Sequence, residues 1–287
     1  MRSFLAALRF LTILPLPGAQ HLDEDGGSAS FATDDLNSLT VSDSKVLSVS
    51  GSTALSTSWG RATAWYPAVG LVLGAILVVL DWGFRWLLPA GVASALLLAA
   101  WVALTGALHL DGLIDCCDGL LAPVPRERRL EILRDVHAGA FGIVGVALLL
   151  LIKYAALVSL PGDIRLPALL LVPTLARWCM TGAVLLYPYA RAGSGLGQKA
   201  KSGTGRWQLA IATTTMLLAC GLAGLAGLGW AVLLLLLVTV TGSFLLAQWI
   251  HSRLGGLTGD AYGAICELAE VLSLLVLVAL AYQGVLP

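Results

Sequence analysis

The sequence predicts an all-α fold: a polytopic transmembrane helical bundle of about seven spans, with active-site loops on its cytoplasmic face. Three observations predict it. Of 287 residues, 58% are hydrophobic and only 12% charged, about half the roughly 25% charge of a soluble domain. Several runs stay apolar for about 20 residues, the length that crosses a ~30 Å hydrocarbon layer as a helix. The charged residues that remain gather between alternate runs, the asymmetry that orients membrane helices. With 17 bases and 17 acids there is no net field to attract nucleic acid, and no nucleic-acid partner is expected.

The elements follow in chain order. Met1–Leu16 carries Arg2 and Arg9 around a short apolar run and lacks a small-residue cleavage site. It reads as a helix on the membrane surface rather than a removed signal. Gly18–Gly60 holds ten serines and six acids against one base, Lys45. Too polar to bury a core, it is expected to be a flexible acidic segment, so residues 1–60 precede a transmembrane catalytic domain over 61–287. Spans are expected at Trp65–Leu88, Gly91–Leu110, Gly139–Leu160, Pro167–Tyr187, Trp207–Leu222, Leu228–Ile250 and Tyr262–Tyr282. Pro89-Ala-Gly91, Pro161-Gly162 and the glycine-rich Gly221–Gly229 punctuate the breaks. The five cysteines form no C-x-x-C pair and read as reduced packing residues.

Thirteen of the seventeen bases fall on one side of this topology: Arg2, Arg9, Lys45 and Arg61 before the first span, Arg126, Arg128, Arg129 and Arg134 after the second, Arg191, Lys199, Lys201 and Arg206 after the fourth, and Arg253 after the sixth. The positive-inside rule makes that side the cytoplasm and puts the C-terminus outside. Nine acids, Asp111, Asp115, Asp118, Glu127, Glu131, Asp135, Asp260, Glu267 and Glu270, fall in or beside two loops of the same face. Carboxylates at the mouth of a span are costly and mark function.

Four constellations carry chemistry. In His109-Leu-Asp-Gly-Leu-Ile-Asp-Cys-Cys-Asp-Gly119 the carboxylates of Asp111, Asp115 and Asp118 stand at i, i+4 and i+7, one face of a helix. Such a cluster repels itself unless a cation binds, and hard oxygens suit Mg²⁺, held by a few carboxylates plus substrate phosphates. His109 is a candidate base or hydrogen-bond donor. In the second stretch Arg134, Asp135 and His137 precede Gly139 and Gly142, and glycines at a helix N-terminus let backbone N–H groups approach an anion. The third, Tyr187 to Gly197, joins Arg191 to Gly195 and Gly197 in a basic glycine-rich loop suited to phosphates, which ordinary topology also explains. Arg177, inside the fourth span, needs an anionic partner. In the fourth, Gly255 to Glu267, Asp260 and Glu267 are again i, i+7 and read as a second half of one metal site.

Together these stretches, with Phe10-Leu-Thr-Ile-Leu-Pro-Leu-Pro17 and Trp65-Tyr-Pro-Ala-Val-Gly70, resemble the adenosylcobinamide-GDP ribazoletransferase, or cobalamin synthase, family. The resemblance spans nearly the whole chain outside Gly18–Gly60. It implies a transfer in the cell's inner membrane that joins adenosylcobinamide-GDP to α-ribazole, or its 5′-phosphate, and releases GMP, the last step of nucleotide-loop assembly. A ribazole hydroxyl would attack the phosphorus on the cobinamide arm. On this reading Asp111, Asp115 and Asp118 are the principal Mg²⁺ ligands, and Asp260 and Glu267 complete the site. Arg177 and Arg191 grip the pyrophosphate, with Arg134, Asp135, Gly195 and Gly197 beside the substrate and His109 as base. The acidic insert and the Ala-Gly-Ser run after Arg191 depart from the family pattern, and the sequence leaves an oligomer open.

Two rival classes fit less well. A CDP-alcohol phosphotransferase expects Asp-Gly-x-x-Ala-Arg followed by Gly-x-x-x-Asp-x-x-x-Asp, a run absent here. A cation transporter places acids near the midplane of interrupted, repeated helices, whereas these clusters are expected at span ends.

Overall fold

The structure, a computed structural model, describes residues 2–14, 60–191 and 196–286. The acidic segment and Gly195 lie outside the described residues. Among the described residues every extended element is helical: α1 (Arg2–Leu11), α2 (Tyr66–Leu87), α3 (Ala90–Leu104), α4 (Leu108–Leu121), α5 (Arg126–Ile132), α6 (Ala140–Ser159), α7 (Gly162–Leu186), α8 (Leu196–Gly203), α9 (Arg206–Ala223), α10 (Ala231–Leu254) and α11 (Gly259–Tyr282). Six are long and apolar enough to cross a membrane, and the bent pair α3–α4 makes a seventh if counted as one span.

The second expected span is corrected. Its apolar run continues to Leu110, but the helix stops at Leu104, and α4 leaves at 88° to α3. The turn is made by two successive left-handed residues, Gly106 (φ 58°) and Ala107 (φ 55°), a conformation that costs an L-residue roughly 1–2 kcal/mol. Hydropathy does not register a change of direction, so the run looked continuous. The consequence is functional: the acid-bearing helix runs across the end of the bundle instead of into it.

α7 is the central helix, flanked by α2, α9 and α11. It meets α2 along Gly70 and Gly74, where a Cβ would stand 2.4 Å from the Pro173 carbonyl oxygen and 2.5 Å from that of Leu169. Small residues four apart let membrane helices close to backbone contact. Pro173 removes the N–H that Leu169 would otherwise receive, and that carbonyl is the one facing Gly74. α1 lies against this core through a Phe4–Trp65 edge contact at 5.8 Å and a Phe10–Tyr66 stack at 6.4 Å.

Two charged sets are buried among the spans. Arg165 holds Asp81 with bonds of 2.8 Å and reaches Ser94 at 3.2 Å. Lys153 of α6 pairs with Glu267 at 3.0 Å and with Glu270, and Glu270 also takes Arg177 of α7. Lys153 lies 4.4 Å over the Trp101 ring. The second set carries two cations and two carboxylates, so it is neutral as a whole, the condition under which charge is tolerated inside a membrane protein.

Candidate active site

At the end where α2, α6, α9 and α11 begin and α7 and α10 finish, α4 lies across the first turns of α11. Glycine makes the crossing possible: a Cβ on Gly112 would stand 2.6 Å from the Asp260 carbonyl oxygen, and one on Gly263 3.1 Å from the His109 Cα. The crossing brings carboxylates from two distant stretches together. Asp115 lies within electrostatic reach of Asp260, Asp111 and Asp118, with Arg191 as the opposing cation. Asp111 and Asp260 line a cleft of 280 Å³ together with His109, Arg191, Gly197 and Tyr189.

The loops around the cleft are tied by their own sequence. α10 ends at Gly255 (φ 72°), and Gly256 packs so closely on the segment after α7 that a Cβ would lie 2.7 Å from the Pro188 carbonyl oxygen. Leu257 then pairs in strand fashion with the Tyr189 segment: its N–H donates to the Pro188 carbonyl, and the Ala190 N–H donates to the Leu257 carbonyl, each at 2.8 Å. Thr258 caps α11 by accepting the Ala261 N–H at 3.2 Å. Arg191, carried on the paired segment, donates to Asp260 and to the Leu133 carbonyl, both at 2.7 Å. Gly255, Gly256, Leu257 and Thr258 therefore tie the loop that leads into Asp260 to the segment that carries Arg191.

Asp118 has a different task from its neighbours. Its carboxylate accepts the backbone N–H groups of Gly139 at 2.7 Å and Gly142 at 2.9 Å, which caps the start of α6, where a helix leaves N–H groups unpaired and favours negative charge. The two glycines that the sequence offered as an anion cradle hold this side chain: a Cβ on either would lie within 2.5 Å of an Asp118 oxygen. Asp118→Asn is expected to lower stability in the absence of metal by about 1–2 kcal/mol, the loss of a strong cap, read as the melting temperature in detergent. An Asp118→Asn protein as stable as wild type would contradict the capping role.

Other expected ligands are placed elsewhere. Glu267 sits two turns into α11, buried against Lys153, and is not brought to the carboxylate cluster. Arg177 is fully buried on Glu270 and the Pro173 carbonyl, so its anionic partner is a helix neighbour and not a pyrophosphate. Arg134 and Asp135 are exposed; hydrogen bonds from His137 hold the Asp135 carboxyl below its ordinary range. Several cations of this face are helix caps: Arg126 donates to the Leu254 carbonyl at 2.6 Å, Arg129 to that of Gly119 at 3.0 Å, and Lys201 to that of Leu185 at 2.7 Å. Cations on C-terminal carbonyls oppose the helix dipole.

The partners missed by the sequence reading are Lys153, Tyr66 and Tyr262. A lysine inside an apolar run was the available signal for the first. The tyrosines line the cleft, which only packing reveals.

The donor set at the cleft suits a hard cation. Among the described residues no three His, Cys, Asp or Glu side chains converge into a ready-made metal cage. Mg²⁺ is ordinarily held by one or two carboxylates with waters and substrate phosphates, and Asp111 and Asp260 on a shared cleft, with Asp115 beside them, match that pattern.

The chain resembles known proteins over most of its length. The family described as cobalamin-5-phosphate synthase matches residues 44–278. An adenosylcobinamide-GDP ribazoletransferase of Geotalea daltonii is 37% identical over 281 residues, covering 98% of both chains. That of a Roseiflexus species is 37% identical over 93% of this chain and 86% of its own. That of Pseudomonas fluorescens is 42% identical over 75% and 87%. No solved structure matches.

Proposed function

The chain belongs to the adenosylcobinamide-GDP ribazoletransferase (cobalamin-5-phosphate synthase) family, and from that premise we propose how its cleft performs the transfer. A hydroxyl of α-ribazole, or of its 5′-phosphate, attacks the phosphorus on the cobinamide arm. The bond from that phosphorus to the oxygen bridging the two phosphates breaks, GMP leaves with that oxygen, and the hydroxyl proton passes to a base. The observation that carries this reading is the meeting of Asp111 and Asp260 with Arg191 in one cleft, brought from stretches about 150 residues apart in sequence.

Asp111, Asp115 and Asp260 are the residues that would hold Mg²⁺, with Asp118 as a neighbour already engaged in its cap. When bound, the ion would neutralise charge on the phosphate oxygens. Arg191, anchored to Asp260, orients the pyrophosphate by donating hydrogen bonds, and the Gly197 backbone leaves room beside it. His109 lines the same cleft and takes the role of base. The purified protein is expected to release GMP from adenosylcobinamide-GDP only with both α-ribazole and Mg²⁺ present. Turnover that survives EDTA would remove the metal from this account.

The cleft faces the cytoplasm in this proposal, from an inner membrane, because the bases cluster at its end of the bundle. Single cysteines at Pro125 and Ser202, in a variant otherwise without cysteine, should then react with an impermeant thiol reagent only from the cytoplasmic side. Labelling from outside would reverse the orientation.

A further inference from the structure

The cleft has two unlike parts. The side chains of Asp111, Asp260 and Arg191 remain open or partly open to solvent. The other part is lined by Tyr66, Met180, Val184 and Tyr262, each at most 5% exposed, with His109 beside them at 2%. In this inner part the Tyr262 hydroxyl and both ring nitrogens of His109 are buried without a hydrogen-bond partner among the described residues. A buried polar atom left unmade costs roughly 1–3 kcal/mol, and such atoms are rare enough in folded proteins that each calls for a partner. Here they lie on one cleft, next to the site of chemistry.

We propose that the inner part is the subsite for the heteroaromatic base of the ribazole, with the Tyr262 hydroxyl donating a hydrogen bond to the free ring nitrogen. The assignment rests on the transferase reading above and specifies which substrate half goes where. The base of a ribazole is flat and largely apolar, with one unsubstituted ring nitrogen that accepts a hydrogen bond. Aromatic, aliphatic and thioether walls with a polar tip match it in kind, and such walls with few fixed polar groups are how small-molecule sites obtain specificity. Guanine, the other flat ring in the reaction, presents donors and acceptors around its edge, and no carboxylate or amide stands among these buried wall residues to meet them. A corrin is far too large for 280 Å³. With the base inside, the ribose emerges beside His109, and its hydroxyl is directed to the carboxylate mouth where the pyrophosphate binds.

The test measures steady-state kinetics for the two substrates separately. Tyr262→Phe, which removes one oxygen, should raise KM for α-ribazole by about tenfold, the value of one hydrogen bond, with KM for adenosylcobinamide-GDP and kcat little changed. Met180→Trp, which fills the inner part, should raise KM for α-ribazole further. On the wild-type protein, benzimidazole should compete with α-ribazole and not with adenosylcobinamide-GDP, a measurement independent of whether either variant folds. A rise confined to KM for adenosylcobinamide-GDP, or benzimidazole competing with that substrate, would give the subsite to the guanosine half and overturn the proposal. Unchanged KM values, or a fall in kcat alone, would overturn it too. A wild-type protein that does not turn over these substrates would instead sink the transferase reading on which the subsite rests.

Discussion

Asp111→Asn and Asp115→Asn are each expected to cut turnover by on the order of 10²–10³ while the protein still inserts and folds, the usual loss for one electrostatic contact to a transition state. Asn keeps the size of Asp and removes the charge. The folded protein should not suffer, because Asp115 shares its surroundings with Asp260, Asp111 and Asp118, and like charges gathered without a cation destabilise one another. Melting temperature without metal should stay level or rise, the opposite of the fall expected for Asp118→Asn. Glu267→Gln should leave the Mg²⁺ dependence of the rate where it is, since that carboxylate is bound to Lys153 inside the bundle. Wild-type GMP release by the Asp111 and Asp115 variants at limiting Mg²⁺ would remove these side chains from the metal site.

Glu270→Gln is expected to be the most damaging single change to the fold, on the order of 3–5 kcal/mol, the cost of breaking one partner out of a buried ion set. Glu270 is the carboxylate that both Lys153 and Arg177 share, and all three are essentially inaccessible to solvent. Neutralising it leaves two buried cations with Glu267 alone. Pairing the change with Lys153→Met restores charge balance and should recover much of the loss, because a neutral set of similar volume is often as stable as the ion pair it replaces. Thermal unfolding in one detergent compares wild type, Glu270→Gln, Lys153→Met and the double variant. A Glu270→Gln protein that melts with wild type, or a double variant worse than the sum of both singles, would show that the set is not balanced by charge.

Much of this molecule is legible from residue order alone, for physical reasons that are local. Span length follows from the thickness of hydrocarbon, so the apolar runs mark six crossing helices to within a few residues. The i, i+4, i+7 spacing of Asp111, Asp115 and Asp118 implies a shared face once the segment is helical, which α4 is. The family follows from motif order, as the matches over residues 44–278 bear out.

What only the tertiary structure decided are the partners, because charge and hydropathy along a chain do not say which groups meet. Asp118 and Asp115 look alike in sequence, yet one caps α6 through Gly139 and Gly142 and the other lies within electrostatic reach of Asp260. Glu267 keeps the helical spacing expected of a ligand with Asp260, but seven residues along a helix is about 10 Å, enough to carry it from the mouth into the core. There Lys153, from a helix more than 100 residues earlier, answers it. The turn at Gly106 and Ala107 lays the acidic helix across the bundle's end, and Gly112 and Gly263 let it touch α11. Backbone direction and close approach are properties of three dimensions, and they convert two acidic stretches into one cleft.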